Sequence, residues 1–390
     1  MSGNGRPTIR EVARLAGVSI GTVSNVLTGA RSVAPSTRGA IESAISRLGY
    51  QPDQAGRVLN SRRRRGPVMP PPDRPRLTAV GYLCADLTAR LPVLPGRDMR
   101  STAHVITKTL GGSAANVAVV AAGLGNPFAM WVELMTVLGT DPESDWAADL
   151  LSQRGVALTP GSRRPDAQLS KCIVLVDGTG ARTIVNEPLL VPREHLIGWL
   201  DMLAPAAGRH CLHIQGDQLE ELMDVLPLAR GRGLLLAFHT PGLPTALRTP
   251  EGLRLITALF DLVLLDLDVT HAVAGHAGNC RELVKQFDAL LDRRRRAIVV
   301  VTLEADGAAV LQAGQSPELV PAEPVPPVDR TGAGDCFAGT FLAAWLSGYG
   351  APAACRLAVL AASRSVTVPG AQEFRPKGAS LLEAVSAEAV

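Results

Sequence analysis

Apolar residues recur at helical spacing from the start of the chain. Ile9, Val12, Ala13 and Ala16 fall on one face, and Gly17 then ends the run. Ser19 restarts a helix through Val23, Val26 and Leu27. A third helix is expected over Ser36–Leu48, opened by Ser36 after Pro35 and closed by Gly49. The pattern then breaks at Arg62–Arg65 and the run Gly66-Pro67-Val68-Met69-Pro70-Pro71-Pro72, where proline excludes helix and central strand. Beyond it the period changes. Leu77–Cys84, Cys172–Val176, Leu234–Phe238, Leu262–Leu265 and Ile298–Thr302 read as strands, and several are continuous apolar runs suited to a sheet covered on both faces. Ala/Leu-rich helical stretches alternate with them, among them a buried helix at Ala114–Leu124. The alternation predicts an α/β domain with a mainly parallel sheet. The expected division is a helical head over 1–62, an Arg/Pro-rich linker over 63–76, and a large domain over 77–390.

Charge sharpens that division. Residues 1–66 hold eleven arginines, no lysine and only Glu11, Glu42 and Asp53 as acids, a surplus of eight positive charges. The whole chain nets +3, so the remainder carries −5. Such asymmetry suits a nucleic-acid-binding module on a mildly acidic domain, although a basic tail has the same composition. Aromatics are 4% of a chain that is 46% hydrophobic, which predicts a core of Ala, Val and Leu. The six cysteines are scattered without a CxxC pair, against a disulfide framework or zinc knuckle. Met1–Arg10 is polar and no apolar run is long enough to span a bilayer, so no membrane partner and a cytoplasmic location are expected. His210 and His213 at the edge of a strand read as rim or core histidines, and Arg293–Arg296 as a solvated helix end.

The turn Gly17-Val18-Ser19 between two short helices is a helix-turn-helix pattern, with Ser19 placed to cap the second helix. Thr8 through Ser19, then Thr22-Val23-Ser24-Asn25-Val26-Leu27-Thr28-Gly29 and Arg47-Leu48-Gly49-Tyr50-Gln51-Pro52, closely resemble the LacI family. The resemblance implies that the helix from Ser19 to Leu27 lies in the major groove of a palindromic operator. DNA-binding residues would then be Thr8, Ser19, Ile20, Gly21, Thr22, Ser24 and Asn25. Ile20 and Gly21 offer no side-chain donor, so readout there would be apolar or through the backbone. Asn25 stands where the family usually carries Arg. Leu59 matches a leucine that wedges into the minor groove, and Arg57 and Arg62–Arg65 would meet phosphates. Gly56 in this hinge segment costs about 1 kcal/mol of helix propensity against the usual alanine.

In the large domain, Asp329-Arg330-Thr331-Gly332-Ala333-Gly334-Asp335 leads into an apolar stretch. Small residues let successive amides converge on an anion at a helix N-terminus, and the carboxylate just beyond is placed to accept a proton from a hydroxyl. The motif closely resembles the PfkB-type signature. Gly81–Asp86, Gly111-Gly112-Ser113-Ala114-Ala115-Asn116, Gly139–Pro142 with the helical stretch Leu150–Val156, and Asp177–Thr183 resemble further landmarks of that family in order. The resemblance implies a ribokinase-like three-layer α/β/α domain with a small β-lid. It implies Asp335, with Gly332, Ala333 and Gly334, as the catalytic set. Asp86, Gly111, Gly112, Asn116 and Asp335 would bind substrate, with Asn116 a hydroxyl partner. Thr302, Gly307, Asp329 and Thr331 would face the nucleotide.

Two departures bear on activity. The family's N-x-x-E motif corresponds to Asp266-Leu267-Asp268-Val269, where Val269 cannot coordinate anything. An unneutralised carboxylate about 4 Å from a phosphate charge costs about 4 kcal/mol at an effective dielectric near 20. Asp266 or Asp268 binding metal directly would reverse that sign. Glu304 stands where glycine is usual, beside the expected ATP phosphates. The expected function is a DNA-binding transcriptional regulator, homodimeric, whose domain binds a sugar or nucleoside and phosphorylates it with ATP and Mg2+, a monovalent cation being a further option. The alternatives are a kinase with an accessory DNA-binding head, and a catalytically silent sugar sensor.

Overall fold

The structure, a computed structural model, describes residues 8–23, 34–48, 71, 73–178, 182–187, 189–203, 208–275, 279–291 and 297–387. The expectations for Ser24, Asn25, Arg57, Leu59, the hinge, Arg62–Arg65 and Arg293–Arg296 lie outside the described residues. The chain divides into two compact units, Met1–Met69 and Pro70–Val390.

In the first unit, helix Ile9–Ala16 starts at Thr8. The Thr8 backbone N–H and hydroxyl both donate to the Glu11 carboxylate, at 2.7 and 3.0 Å. These hydrogen bonds, the backbone one first, hold the Glu11 carboxyl below its ordinary value. An acid in the first turn also suits the helix dipole. Gly17 takes φ 65°, the left-handed turn. Residues 20–23 are helical, and Ser19 Oγ accepts from the Thr22 N–H at 3.1 Å, the cap that the helix start called for. The next helix, Pro35–Leu48, opens one residue earlier than expected, since proline suits a first helical turn. Val12, Ala13, Val23, Ile41 and Ala44 form the small core.

In the second unit the described strands are β1 (Arg76–Val80), β2 (Cys84–Arg90), β3 (Val105–Gly111), β4 (Trp131–Met135), β5 (Val156–Leu158), β6 (Ser170–Val176), β7 (Arg182–Asn186), β8 (His210–Gln215), β9 (Leu235–His239), β10 (Leu262–Leu265), β11 (Ile298–Thr302), β12 (Ala308–Leu311) and β13 (Glu318–Val320). The large sheet runs β13-β12-β11-β10-β9-β8-β1-β4-β5 and is parallel from β5 through β11. Only β12 and β13 are antiparallel in it. Helices Ser113–Gly123 and Ala333–Leu346 share one apolar layer with Leu77, Ala79, Ala237 and Leu264. Gly339 lets the two helices cross closely, since a Cβ there would lie 2.7 Å from the Val117 carbonyl. Leu196, Trp199, Ile256 and Phe287 cover the other face, which completes a three-layer α/β/α body. Phenylalanines 128, 238, 260, 287 and 341 fill it alongside the expected aliphatics.

A second sheet, β3-β2-β6-β7, stands apart as a lid. Its register puts Ile106, Ile173 and Val185 on one face, opposite the face of Asp86, Cys172 and Ile184. Ile106, Ile184 and Val185 are more than half exposed. Lys108 of β3 reaches Glu143 at 2.9 Å and lies over the Trp146 ring, tying the lid to helix Pro142–Gln153.

Some expectations differ. The apolar run Leu77–Cys84 is β1 plus the first residue of β2, broken at Gly81, where a Cβ would lie 2.6 Å from both the Ala114 side chain and Gln215 Oε1. Asp86 therefore belongs to the lid. The helix placed at Leu150–Val156 is Pro142–Gln153, because Asp141 caps it early by accepting from the Glu143 and Ser144 N–H groups. His210 opens β8 and His213 lies within it, both buried, on a strand interior to the large sheet. No helix among the described residues is long and apolar enough to cross a membrane.

Candidate functional site

The sheet order reverses about β1 and β8, and the ends of those strands open where ligands bind in such folds. Gly81 and Tyr82 leave β1 there, and Gly216 and Asp217 leave β8. Gln215 Oε1 accepts from the Ala114 N–H at 3.1 Å, docking the start of helix Ser113–Gly123 against β8. Beside it, Gly332 takes φ 77° and opens helix Ala333–Leu346. A Cβ on Gly332 would lie 2.6 Å from that of Ala371, so the loop fits only as glycine.

Asp335 lies in the first turn of that helix, buried. Ser113 Oγ donates to its Oδ1 at 2.6 Å, and Asn116 Nδ2 donates to its Oδ2 at 2.7 Å. Gln372 Nε2 in turn donates to Asn116 Oδ1 at 2.6 Å. Burial pushes the Asp335 carboxyl up to about 6, against the opposing pull of the Ser113 and Asn116 hydrogen bonds, with the charge of Asp86 adding to the rise. Burial likewise raises Asp86, whose Oδ1 accepts a hydrogen bond from the Cys84 thiol at 3.0 Å. The Asp86 carboxylate lies directly over Gly111, where any Cβ would collide with it. Gly112, at φ 99°, passes against the Tyr82 carbonyl in the same way. Burial raises Asp217 to about 6. Burial also raises the Tyr82 phenol, with smaller contributions from the charges of Cys84, Asp217, Cys172 and Asp335. The structure thus brings Asp86, Gly111, Gly112, Asn116 and Asp335 together.

Sequence reasoning missed Ser113, Asp217 and Gln372 as members of this cluster. Asp217 follows a strand whose His and Gln residues hid its apolar pattern, and Gln372 carries no local signal. Asn116 was expected to meet a substrate hydroxyl. Its amide oxygen accepts from Gln372 and its nitrogen donates to Asp335, which leaves one lone pair and one N–H for a further partner. The His213 and His239 rings lie 5.9 Å apart, tilted by 44°, and burial depresses both to about 3. The His239 Nε2 is 3.9 Å from where a Cβ on Gly334 would stand, and its buried Nδ1 has no partner.

On the expected nucleotide side, the Thr302 hydroxyl donates to the Leu265 carbonyl, and Gly307 turns the chain at φ 98°. Asp329 Oδ1 accepts from the Thr331 N–H and hydroxyl, and its Oδ2 from the Gly370 N–H. Asp266 caps helix Leu267–Ala274, with Oδ1 accepting from the Val269 N–H and Oδ2 from the Thr240 hydroxyl. Both oxygens of this expected metal ligand are therefore engaged. No group of three His, Cys, Asp or Glu side chains among the described residues could hold a metal. Glu304 sits at φ 51°, and its carboxylate lies 3.9 Å from Arg330 Nη1. A left-handed non-glycine residue costs roughly 1–2 kcal/mol, while an exposed ion pair contributes about 0–1 kcal/mol.

In the head, Ser19, Ile20 and Gly21 are exposed and Thr22 is half-buried, while Val23 faces the core. Thr8 is also exposed.

The model of the pfkB family of carbohydrate kinases matches residues 74–378. The chain belongs to that family. A second model, bacterial regulatory proteins of the lacI family, matches residues 8–53, so the kinase-family body is fused to a LacI-type helix-turn-helix head. The chain is 27% identical over 281 residues to a mouse ribokinase, covering 70% of this chain and 82% of that protein. It is 53% identical over 58 residues to the HTH-type transcriptional regulator CelR of Thermobifida fusca. That match spans 15% of this chain and only 17% of the regulator. Arabidopsis thaliana ribokinase, solved with ribose and ATP, superposes with a TM-score of 0.63 at 22% identity, covering 80% of this chain and 98% of that one. Ribokinase from Cryptococcus neoformans, solved with ADP, gives 0.62 at 22% identity, covering 80% and 99%. Both show the ribokinase-like fold of this pfkB-family body.

Proposed function

We propose that the protein is a DNA-binding transcriptional regulator whose pfkB-family body binds a sugar or nucleoside and phosphorylates it with ATP. The observation that carries this reading is the buried Asp335, held by Ser113 and Asn116 at a helix N-terminus and within reach of the Asp86 charge, in one chain with an exposed helix-turn-helix surface.

The substrate polyol lies between the lid and the strand ends, with hydroxyls accepted by Asp86 and Asp217. Asp335 takes the proton of the attacking hydroxyl. A carboxylate near 6 is ionised at neutral pH and still basic enough for that transfer. The N–H groups from Gly332 to Asp335 receive the charge that develops on the transferred phosphoryl group. Thr302, Gly307, Asp329 and Thr331 frame the nucleotide on the other side. Magnesium, if used, would enter as part of the nucleotide complex, since the described residues do not fit a protein-built cage for it. Ser19 through Thr22 face the DNA major groove, and Thr8 meets the backbone. A second copy of this chain covers the exposed aliphatics of the lid, which matches two heads to a palindromic operator.

The test is phosphorylation of a panel of sugars and nucleosides by the full chain with ATP, run with Asp335→Asn as control, alongside operator selection from random duplexes. Turnover above that control together with sequence-selective, sugar-sensitive DNA binding is the expected result. DNA binding that responds to a sugar without turnover leaves a silent sensor instead, a reading that Val269 and the Asp266 cap favour.

A further inference from the structure

Glu304 and Asp98 are the two non-glycine residues at positive φ among the described residues. Asp98 lies in an exposed loop, but Glu304 occupies the turn between β11 and β12, facing the loop that opens helix Ala333–Leu346. Its strain exceeds what its exposed partner, Arg330, returns in stability, so the pair is not kept for stability. Arg330 is held from both sides. Asp329 before it is pinned to Thr331 and Gly370, and Gly332 after it packs on Ala371. The backbone that carries the exposed guanidinium is therefore held at the mouth of the helix N-terminus, and His239 Nε2 lies on the inner side of the same turn, 3.9 Å from where a Cβ on Gly334 would stand. Of the two carboxylates expected to organise metal, Asp266 caps a helix with both oxygens engaged and Asp268 is exposed, Val269 offers no ligand, and no group of three such side chains among the described residues could hold an ion.

We propose that Arg330 is the group that meets the nucleotide phosphates in this chain, and that the protein holds no magnesium ion of its own. Without nucleotide the guanidinium rests near Glu304. With nucleotide it turns to the polyphosphate, where a planar fork of donors matches phosphate oxygens. Glu304 then competes with the phosphates for Arg330 and sets how tightly nucleotide is held. The inference rests on the nucleotide-using reading above, but makes a claim that sugar turnover does not test.

The experiment is calorimetric titration of the full chain with ADP and with ATP, in EDTA and in Mg2+, with no sugar present. ADP affinity in EDTA is expected within about threefold of its value in Mg2+. Arg330→Thr is expected to lose about tenfold or more in EDTA and to recover most of it in Mg2+, the scale of one charge-assisted phosphate contact. Glu304→Gly is expected to tighten ADP several-fold, roughly the ground lost to a competing carboxylate. Both residues are exposed; an unchanged melting temperature for Arg330→Thr, and an unchanged or higher one for Glu304→Gly, which relieves the positive φ, confirm that the variants fold. Loss of wild-type binding in EDTA, equal binding by Arg330→Thr there, or no nucleotide binding in either buffer overturns the proposal. Sugar turnover with magnesium-dependent ADP binding sinks this inference alone. Magnesium-independent ADP binding without turnover sinks the kinase reading alone.

Discussion

The two units of this chain build function in opposite ways. The head carries its proposed reading surface on one short contiguous stretch, exposed at Ser19, Ile20 and Gly21 and half-buried at Thr22, beside a core that holds five buried side chains among the described residues. The body draws Asp86, Ser113, Asn116, Asp217, Asp335 and Gln372 from five separate segments to one site. A surface reader needs a scaffold only firm enough to present a few residues. A phosphoryl-transfer site must desolvate charge and hold it, which takes two helices, a sheet and a lid. The head is therefore fragile in its core and tolerant on its surface, and the body the reverse at its site.

The strongest way to break that comparison is Asp335→Asn. Turnover in an ATP-coupled assay is expected to fall by about 10²–10⁴, the scale of a lost general base, while operator affinity holds. Stability should rise at the same time. Asp335 has a folded pKa of about 6, above its unfolded value, so its contribution is present at low pH and lost as pH rises from about 4 through 6. At pH 8 the variant is expected to gain on the order of 1–3 kcal/mol by denaturant melting, and a destabilised variant would contradict the burial argument.

Next in size is Ile41→Ala. Losing a fully buried side chain costs about 2–5 kcal/mol, a large share of what so small a cluster of buried side chains among the described residues sustains. Operator binding in a mobility-shift assay should vanish while the melting transition of the body stays put. Retained DNA binding would mean that the head has support beyond the core described above.

Gly111→Ala probes the opposite end. The new methyl displaces the Asp86 carboxylate, and sugar affinity by calorimetry is expected to drop about 10–100-fold, the worth of one or two hydrogen bonds to a charged group. DNA binding without sugar should not change.

The smallest effect is in pH. Turnover is expected to climb about tenfold per unit below 6 and flatten above it, as Asp335 ionises. Residues 1–66 contain no histidine, so operator affinity should be level from about pH 5.5 to 8. A pH-dependent head would show that the two units are not separable.

Legibility in the sequence followed locality. The helix starts at Thr8 and Ser19, the turn at Gly17 and strands β10 and β11 stood in the pattern, since caps and apolar runs act within a few residues. β8 was hidden because it carries His210, His213 and Gln215 inside the sheet, where a polar strand end faces the site rather than the core. The break at Gly81 depends on the approach of Gln215 and Ala114, which no neighbouring residue announces. The amide of Asn116 looked free for substrate until Gln372 arrived from 256 positions away.

The chain's own order of residues determined that a basic helix-turn-helix precedes an α/β body with an anion-binding loop ending in a carboxylate. Those features are short-range, fixed by backbone geometry and charge over one or two turns. Only the folded arrangement decided that Ser113, 222 positions from Asp335, would hold it, that Asp266 would serve as a cap, and that Arg330 would face Glu304. Hydrogen bonds and charges act over a few ångströms of space, and distance along the chain does not encode them.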